Sequence, residues 1–413
     1  MSSSSSSSHH IVLTSSPDGP IIAYDISSGT TIARFTGSRS PRHGLALAGK
    51  SFIAASHISS SATSGSIHLY NWWSSTALHH LPLPEPVAPI VATKDGSYLF
   101  AGGLSGNVYS LSLPSGDLVK SFSAHEKPVS CLKISHDGSL LITGSDDGAI
   151  VVVPIFLLVD ASMDQENSNT LLFQRFAAHN ASVTDIAGLF NSSMLSCSID
   201  CTCKLWTLTG TQLQTFTFPC AILGVALNPM ETEFYAAGSD GLIYKATMKV
   251  KTKQEISQRQ KLVTTFPEKH SGTVVYVVMV NNGKHLVSAS EDGSVFVWQV
   301  ERGNVILVLG NDTASISSLV VAVNGIGDGN SGGGSGSGGG SDGGGGLSGK
   351  EMVSKSIRET IEVEDVLSEV GEDRSRAIDM LESAIGMYEK LLELILKEAM
   401  KGSNNNTSGK DND

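Results

Sequence analysis

Sets of histidine, serine and aspartate recur along this chain at nearly constant spacing, and such sets could form the catalytic group of a hydrolase. Two sets also include a tryptophan: His179, Ser198, Asp200 and Trp206, and then His270, Ser290, Asp292 and Trp298. In a hydrolase the histidine would activate the serine as a nucleophile. An enzyme needs one such nucleophile, whereas copies inside repeated strands indicate buried hydrogen-bond networks. We therefore predict four-residue structural networks and no catalytic residue.

A third copy lacks only the aromatic residue. It contains His125, Ser145 and Asp147, with Val153 at the position that tryptophan occupies in the other two sets. Substitution of Asp200 or Asp292 by alanine is expected to lower stability, because each aspartate would hold a buried partner.

Three cysteines, Cys197, Cys201 and Cys203, are close in sequence. Cys201 and Cys203 are two residues apart, so on a strand both would face one side. Structural zinc requires four converging ligands, and no fourth ligand is evident, so we interpret these cysteines as small buried side chains. The five cysteines of the chain do not resemble a disulfide framework, which indicates a reducing compartment. No metal or other cofactor is predicted.

A short basic segment is the strongest candidate for contact with RNA or with a protein partner. Its cations are Lys249, Lys251, Lys253, Arg259 and Lys261, opposed only by Glu255. Such a run could follow a phosphate backbone. A solvated lysine-rich loop is the alternative, since no aromatic residue is interleaved for base stacking. Arg39 and Arg42 would extend the basic patch if the fold brought them near.

The elements that carry these residues repeat seven times. A polar turn residue is followed six residues later by the expected end of an apolar strand. The turn residues are Asp18, Ser64, Ser105, Asp147, Asp200, Asp240 and Asp292, and the strand ends are Tyr24, Tyr70, Leu111, Val153, Trp206, Ala246 and Trp298. This period of about 40–53 residues is typical of a propeller blade of four strands. The predicted fold is all-β: a seven-bladed β-propeller over residues 11–323.

The ends of the repeat region predict how the ring closes. The run from Ile11 to Ser15 has no strand before it that could be the first strand of its blade. The apolar run from Ile316 to Ala322 would supply that strand and remove two exposed sheet edges. Two insertions, 155–169 and 248–260, lengthen the fourth and sixth blades between their third and fourth strands.

The C-terminal part of the sequence differs in kind. Residues 324–350 contain 15 glycines and are predicted to be a flexible linker. Residues 351–401 are expected to form an α-helical, coiled-coil segment, because apolar residues follow a heptad pattern. The pattern contains Ile378, Leu381, Ile385, Tyr388, Leu392 and Ile395. Self-association is favoured for this helix, and docking on a partner is the alternative. Residues 1–10 and 402–413 are predicted to be a low-complexity N-terminus and a disordered tail.

The negative charge is concentrated in the C-terminal part of the chain. Residues 1–323 contain 19 basic and 23 acidic residues, whereas residues 324–413 contain 9 and 17. The ring therefore has no basic excess, and this excludes a nucleic-acid footprint over its whole surface. The serine-rich start and the absence of long apolar runs predict neither secretion nor a membrane span.

The order of regular and degenerate blades resembles the WD-repeat subunit of the nuclear complex that matures the large ribosomal subunit. The resemblance is carried by KPVSCLKISHDGSLLITGSDDGAIVVV (127–153), AHNASVTDIAGLFNSSMLSCSIDCTCKLWTL (178–208) and FPCAILGVALNPMETEFYAAGSDGLIYKATM (218–248). It implies a non-enzymatic scaffold in the nucleolus or nucleoplasm that assists pre-60S assembly and processing of an rRNA internal transcribed spacer. It also implies an armadillo-like subunit and a midasin-type ATPase as partners, a C-terminal helix that dimerises, and, in plants, a role in meristems or root initiation.

Two other classes of function remain open at this stage. A propeller can present substrates to a ubiquitin ligase or serve another nuclear regulatory complex. An RNA-processing enzyme would instead require one solvent-exposed catalytic cluster, and the sequence contains none that we can identify.

Overall fold

The structure, a computed structural model of the chain, describes residues 10–58, 64–160, 174–188, 193–248, 263–310 and 314–323. The basic segment, from Lys249 to Lys261, lies outside these ranges. The predicted linker, heptad helix and tail also lie outside them.

The described residues form 28 strands and one short helix. The first fourteen strands are β1 (His10–Ser15), β2 (Ile21–Asp25), β3 (Thr31–Phe35), β4 (Leu45–Ala48), β5 (Phe52–His57), β6 (Gly65–Asn71), β7 (His79–Leu83), β8 (Val87–Ala92), β9 (Tyr98–Gly103), β10 (Asn107–Ser112), β11 (Leu118–Ser123), β12 (Val129–Ile134), β13 (Leu140–Ser145) and β14 (Ala149–Pro154). Helix α1 (Phe156–Val159) follows. The remaining strands are β15 (Gln174–Ala177), β16 (Val183–Gly188), β17 (Ser193–Ser198), β18 (Thr202–Thr207), β19 (Gln212–Thr217), β20 (Ile222–Leu227), β21 (Glu233–Gly238), β22 (Ile243–Thr247), β23 (Val263–Thr265), β24 (Val274–Val280), β25 (His285–Ser290), β26 (Val295–Gln299), β27 (Asn304–Leu309) and β28 (Ser318–Val323).

These strands pair into seven antiparallel sheets of four strands each. Six sheets contain consecutive strands, from β4–β7 (blade two) through β24–β27 (blade seven). Each first strand contacts the first strands of the neighbouring blades, and β28 contacts both β24 and β4. The sheets therefore form a closed ring around a channel, which confirms the predicted seven-bladed propeller.

Blade one is closed by a strand from the other end of the repeat region. Strand β28 pairs with β1 in antiparallel register, with Leu13 opposite Val320, and the sheet order is β28-β1-β2-β3. Ser317 reinforces the closure, because its backbone N–H donates to the carbonyl of Ser15 at 2.9 Å. The predicted arrangement of one C-terminal and three N-terminal strands is confirmed.

The third strand of every blade continues one residue beyond its predicted end. Tyr24 and Trp206 are each the penultimate residue of their strands, β2 and β18, and the same holds in the other five blades. The apolar pattern marks the last buried side chain, whereas the strand includes one further residue, which is polar in six blades and is Pro154 in blade four.

The core is divided among the interfaces between blades. Leu69 of blade two and Leu99 of blade three belong to one fully buried cluster, and Leu195 and Phe234 join blades five and six in the same way. Because both faces of a blade pack against neighbours, its strands are apolar on both faces.

Both predicted insertions lie between third and fourth strands. The first begins with helix α1 after β14 and rejoins the sheet at β15; the second separates Met248 from Val263, the first residue of β23. In an antiparallel blade these connections lie at the end of the sheet opposite the polar turns between second and third strands. The side with the ends of both insertions is called the insertion side below, and the other side the turn side.

Candidate functional site

In blade five three of the four predicted residues form a continuous hydrogen-bond network, and a different serine takes the fourth position. His179, in the loop between β15 and β16, lies 2.8 Å from the Ser196 hydroxyl through Nε2 and 3.0 Å from Asp200 through Nδ1. The Trp206 indole donates to the Ser196 hydroxyl at 2.9 Å. Because a carboxylate can only accept, the Nδ1–H of the neutral His179 donates to Asp200. Nε2 is then an acceptor, and the Ser196 O–H donates to it.

The serine at the centre is Ser196, so the prediction of Ser198 is wrong. The two serines are two residues apart on β17 and face the same side of the strand, so spacing alone could not separate them. The Ser198 hydroxyl instead accepts the backbone N–H of Asp200 at 3.0 Å and donates to the carbonyl of Ala181 at 3.4 Å. Ser198 therefore stabilises the turn that holds Asp200.

Blade seven repeats the arrangement with a second change. The Trp298 indole donates to Ser288 at 2.7 Å, and Ser288 lies 2.7 Å from His270 Nε2, so the prediction of Ser290 is also wrong. His270 Nδ1 lies 2.7 Å from the Ser294 hydroxyl, which donates to Asp292 at 2.5 Å. Asp292 is thus linked to His270 by hydrogen bonds through Ser294. It also accepts hydrogen bonds from the backbone N–H groups of Ser271 and Gly272.

In blade four a threonine takes the central position. His125 lies 2.7 Å from the Thr143 hydroxyl and 3.2 Å from Asp147, and Ser145 again caps the turn by accepting the Asp147 N–H. Arg175 adds a cation 3.2 Å from Asp147.

Two other blades use tyrosine in place of histidine and tryptophan, which the sequence reading missed. In blade three, Glu85 accepts the Tyr109 hydroxyl at 2.6 Å and the backbone N–H of Ser105 at 2.8 Å. In blade six, Asp240 accepts the Tyr244 hydroxyl at 2.6 Å. Each tyrosine lies four residues after the turn residue of its blade, and this spacing could have identified both networks.

Burial determines the ionisation of these networks. It lowers the pKa of His125, His179 and His270, the last to about 4, so the imidazoles are neutral at neutral pH. Burial alone would raise the pKa of Asp200, but the Thr202 hydroxyl and His179 lower it overall. The hydroxyls that contact the Nε2 atoms of the three histidines belong to the fully buried Ser196, Ser288 and Thr143. No substrate can approach them, so the arrangement holds loops and turns together.

Cys197 and Cys203 are packed in the core as expected for small side chains, whereas the prediction is wrong for Cys201, which is only partly buried and precedes the strand. Cys197 and Cys203 are opposite one another on β17 and β18, and burial raises the pKa of the Cys203 thiol. Cys201 lies in the turn before β18 with a φ of 64°. Within the ranges that the structure describes, no group of three or more histidine, cysteine, aspartate or glutamate side chains could hold a metal ion.

Arg39 and Arg42, which would extend the basic patch if the fold brought them near, lie in the ring itself. They belong to the loop between β3 and β4, on the turn side, whereas Met248 and Val263 mark the insertion side. The Arg42 guanidinium donates to the carbonyl of Leu223 in blade six. Arg42 is therefore part of the ring structure.

The blades with histidine networks lie in segments that match a known repeat family. The WD domain, G-beta repeat family matches residues 116–152, 171–207 and 260–299. These segments include the third strands of blades five and seven and most of that of blade four, the three blades in which His125, His179 and His270 form their networks.

The chain contains WD repeats.

Curated proteins similar to this WD-repeat chain have names that concern plant development and rRNA processing. Protein ROOT INITIATION DEFECTIVE 3 of Arabidopsis thaliana is 36% identical over 298 residues, which cover 70% of this chain and 65% of that protein. Pre-rRNA-processing protein crb3/ipi3 of Schizosaccharomyces pombe is 25% identical, with 67% of this chain and 69% of that protein covered. Human WD repeat-containing protein 18 is 23% identical, with 70% and 66% covered.

The WD-repeat chain thus spans about two thirds of the length of these relatives.

No helix in the ranges that the structure describes is long and apolar enough to cross a membrane.

Proposed function

We propose that this WD-repeat chain is a non-enzymatic scaffold in maturation of the large ribosomal subunit and in processing of pre-rRNA spacers. The observation that carries the proposal is its similarity over most of the propeller to pre-rRNA-processing proteins of Schizosaccharomyces pombe and Mycosarcoma maydis. The burial of the hydroxyl that contacts Nε2 of each network histidine supports a role without catalysis. A location in the nucleus is part of the proposal, because pre-rRNA is made in the nucleus.

The insertion side is the proposed partner face. Large apolar side chains are exposed there in three connections: Trp73 in blade two, Phe156 in blade four and Met230 in blade six, with exposed fractions of 66%, 54% and 81%. The Met248 N–H donates to the carbonyl of Thr232 at 2.8 Å, so the turn of Met230 adjoins the start of the basic insertion. Exposed apolar side chains beside charged loops are typical of protein interfaces.

The partners proposed for this face are an armadillo-like subunit and a midasin-type ATPase. Purification of the tagged full chain from its own cells, followed by mass spectrometry, tests this proposal. Recovery of large-subunit precursors with both proteins would support it. The triple change Trp73→Ser, Phe156→Ser and Met230→Ser should reduce recovery, whereas the matched change Leu104→Ser, at an exposed residue on the turn side, should not. Recovery of cullin adaptors alone would favour the ubiquitin-ligase alternative.

Direct contact with RNA through Lys249, Lys251, Lys253, Arg259 and Lys261 is a separate part of the proposal. Replacement of these five residues by glutamine should weaken cross-linking to pre-rRNA without changing protein recovery. If protein recovery falls and cross-linking per particle is unchanged, the segment binds a partner and not RNA.

Self-association through the 351–401 helix is also proposed. Light scattering of the full chain should give the mass of a dimer, and Leu381→Glu with Leu392→Glu should give a monomer, because both residues lie in the heptad pattern. The control Glu382→Gln with Glu393→Gln lies off that pattern and should leave the dimer intact. A monomeric unmodified chain would mean that the helix docks on a partner.

A further inference from the structure

The central channel contains a cavity of about 550 Å³ lined by residues of the inner strands. Its walls are mainly aliphatic, with Leu47, Ile134, Leu227 and Val321 among the lining residues near the insertion side. A cavity of this size is large enough for a small organic molecule or for a few residues of a peptide.

The turn side of the cavity is crossed by the loop that precedes β4. The carbonyl of His43 accepts the Ile90 N–H of blade three at 3.0 Å, and its Nε2 lies 2.9 Å from the Thr184 carbonyl of blade five. Its ring centre also lies 5.4 Å from that of Tyr276 in blade seven. One side chain thus joins blades on different sides of the channel, so access to the cavity is from the insertion side.

Two polar side chains that line the cavity have no side-chain hydrogen-bond partner among the described residues. Lys133 of β12 and Tyr276 of β24 make no side-chain hydrogen bond or ion pair with another described residue. The pKa of Lys133 is raised by Tyr276 and, against the effect of burial, also by Asp185, and burial raises the pKa of the Tyr276 phenol, so both groups are protonated at neutral pH. An ammonium group and a phenol that face an enclosed space can both donate to one anionic group.

The one carboxylate in the cavity does not satisfy Lys133. Asp185 accepts the backbone N–H of Ile186 at 2.9 Å and that of Val225 at 3.0 Å, so each oxygen already has a donor. It makes no ion pair with Lys133 within 4.0 Å among the described residues. At the closed end, the Nε of Arg42 is also buried without a hydrogen-bond partner. Lys133, Tyr276 and the Nε of Arg42 are therefore donors without a hydrogen-bond acceptor among the described residues.

We propose that the channel is a binding site for a carboxylate carried on a short apolar chain, with Lys133 and Tyr276 as its donors. The apolar chain would lie against the aliphatic wall toward the insertion side. The carboxylate can come from a small organic acid or from an acidic side chain of a peptide. This site is independent of the proposed role in ribosome maturation.

Calorimetry on the full chain with hexanoate, hexanol and hexylamine tests the charge requirement. Hexanoate should bind at least about tenfold more tightly than hexanol, and hexylamine should not bind, because only the carboxylate forms charge-assisted hydrogen bonds. Lys133→Met should weaken hexanoate binding about tenfold or more, and Tyr276→Phe by a smaller factor. The exposed Lys127→Met is the matched control and should bind like the unmodified chain.

Binding measurements on the unmodified chain alone can contradict the proposal, even if Lys133→Met does not fold. Equal binding of hexanoate and hexanol, or no binding of hexanoate at millimolar concentration, contradicts it, and so does full binding by a folded Lys133→Met variant. A capped Leu-Glu-Leu peptide and its Leu-Gln-Leu counterpart distinguish the sources. Tighter binding of the glutamate peptide than of hexanoate assigns the site to a peptide side chain, and the reverse order assigns it to a small acid.

Discussion

The indole of Trp206 and the hydroxyl of Ser196 are joined by a 2.9 Å hydrogen bond that links two adjacent strands of blade five. Ser196 also lies 2.8 Å from His179, so this one hydroxyl connects strand β18 with the loop that enters β16. Ser198, two residues further along the same strand, contacts only the turn and the adjacent loop backbone. Loss of the Ser196 hydroxyl would therefore leave two side-chain nitrogen atoms without a partner, whereas loss of the Ser198 hydroxyl would leave only backbone groups without one.

Ser196→Ala should cost more stability than Ser198→Ala. The first change leaves a buried indole N–H and a buried imidazole nitrogen without partners, at about 1–3 kcal/mol each. The second leaves backbone groups at the end of a strand, with an expected cost of about 1 kcal/mol. Urea unfolding of both variants checks the order. Equal losses, or a larger loss for Ser198→Ala, would show that the network does not depend on Ser196.

The aspartates of blades five and seven should respond differently to the same change. Asp200→Asn should perturb His179 directly, because Nδ1 lies 3.0 Å from the carboxylate. Asp292→Asn should affect His270 less, since the Ser294 hydroxyl stands between them. Nitrogen-15 chemical shifts of the two imidazoles measure the tautomer in each variant. A larger shift change at His270 than at His179 would contradict the arrangement.

Much of the fold could be predicted because the ring is built from local signals. Turn residues such as Asp147 and the apolar runs after them mark the third strand of each blade, and the unpaired run at Ile11 implies a closing strand. The exact network members could not be predicted, because Ser196 and Ser198 share one strand face and only the approach of His179 selects between them. Likewise, the place of Arg42 depends on a carbonyl in blade six that is 181 residues away.

The ring should require β28 for its stability. A chain that ends at residue 323 keeps all six residue pairs between β1 and β28, whereas a chain that ends at residue 315 exposes the edges of β1 and of the neighbouring inner strands. We expect the shorter chain to be insoluble or to melt at a much lower temperature than the longer one. Calorimetric melting of the two truncations makes the comparison, and equal melting temperatures would rule out this closure.

Acid should destabilise the ring over a defined interval of pH. Burial lowers the pKa of His43, His68 and His270 from 6.5 to about 4 in the folded state. Between these values the unfolded chain binds more protons than the folded chain, so stability falls as pH decreases from 6.5 to about 4. The loss is on the order of 3 kcal/mol per histidine at most. Carboxylates such as Asp25, whose pKa is lowered to about 2, add their effect only below this interval.

His68 isolates one part of this pH dependence. Its ring centre lies 4.6 Å from that of His57 and 4.3 Å from that of His80, and its Nδ1 is buried without a hydrogen-bond partner. Burial is the main cause of its low pKa, and the two neighbouring histidines lower it further. His68→Leu should therefore reduce the slope of unfolding free energy against pH between 6.5 and 4, whereas His79→Leu, at an exposed position on the same blade, should not. An unchanged slope in His68→Leu would mean that this imidazole already carries its proton in the folded ring.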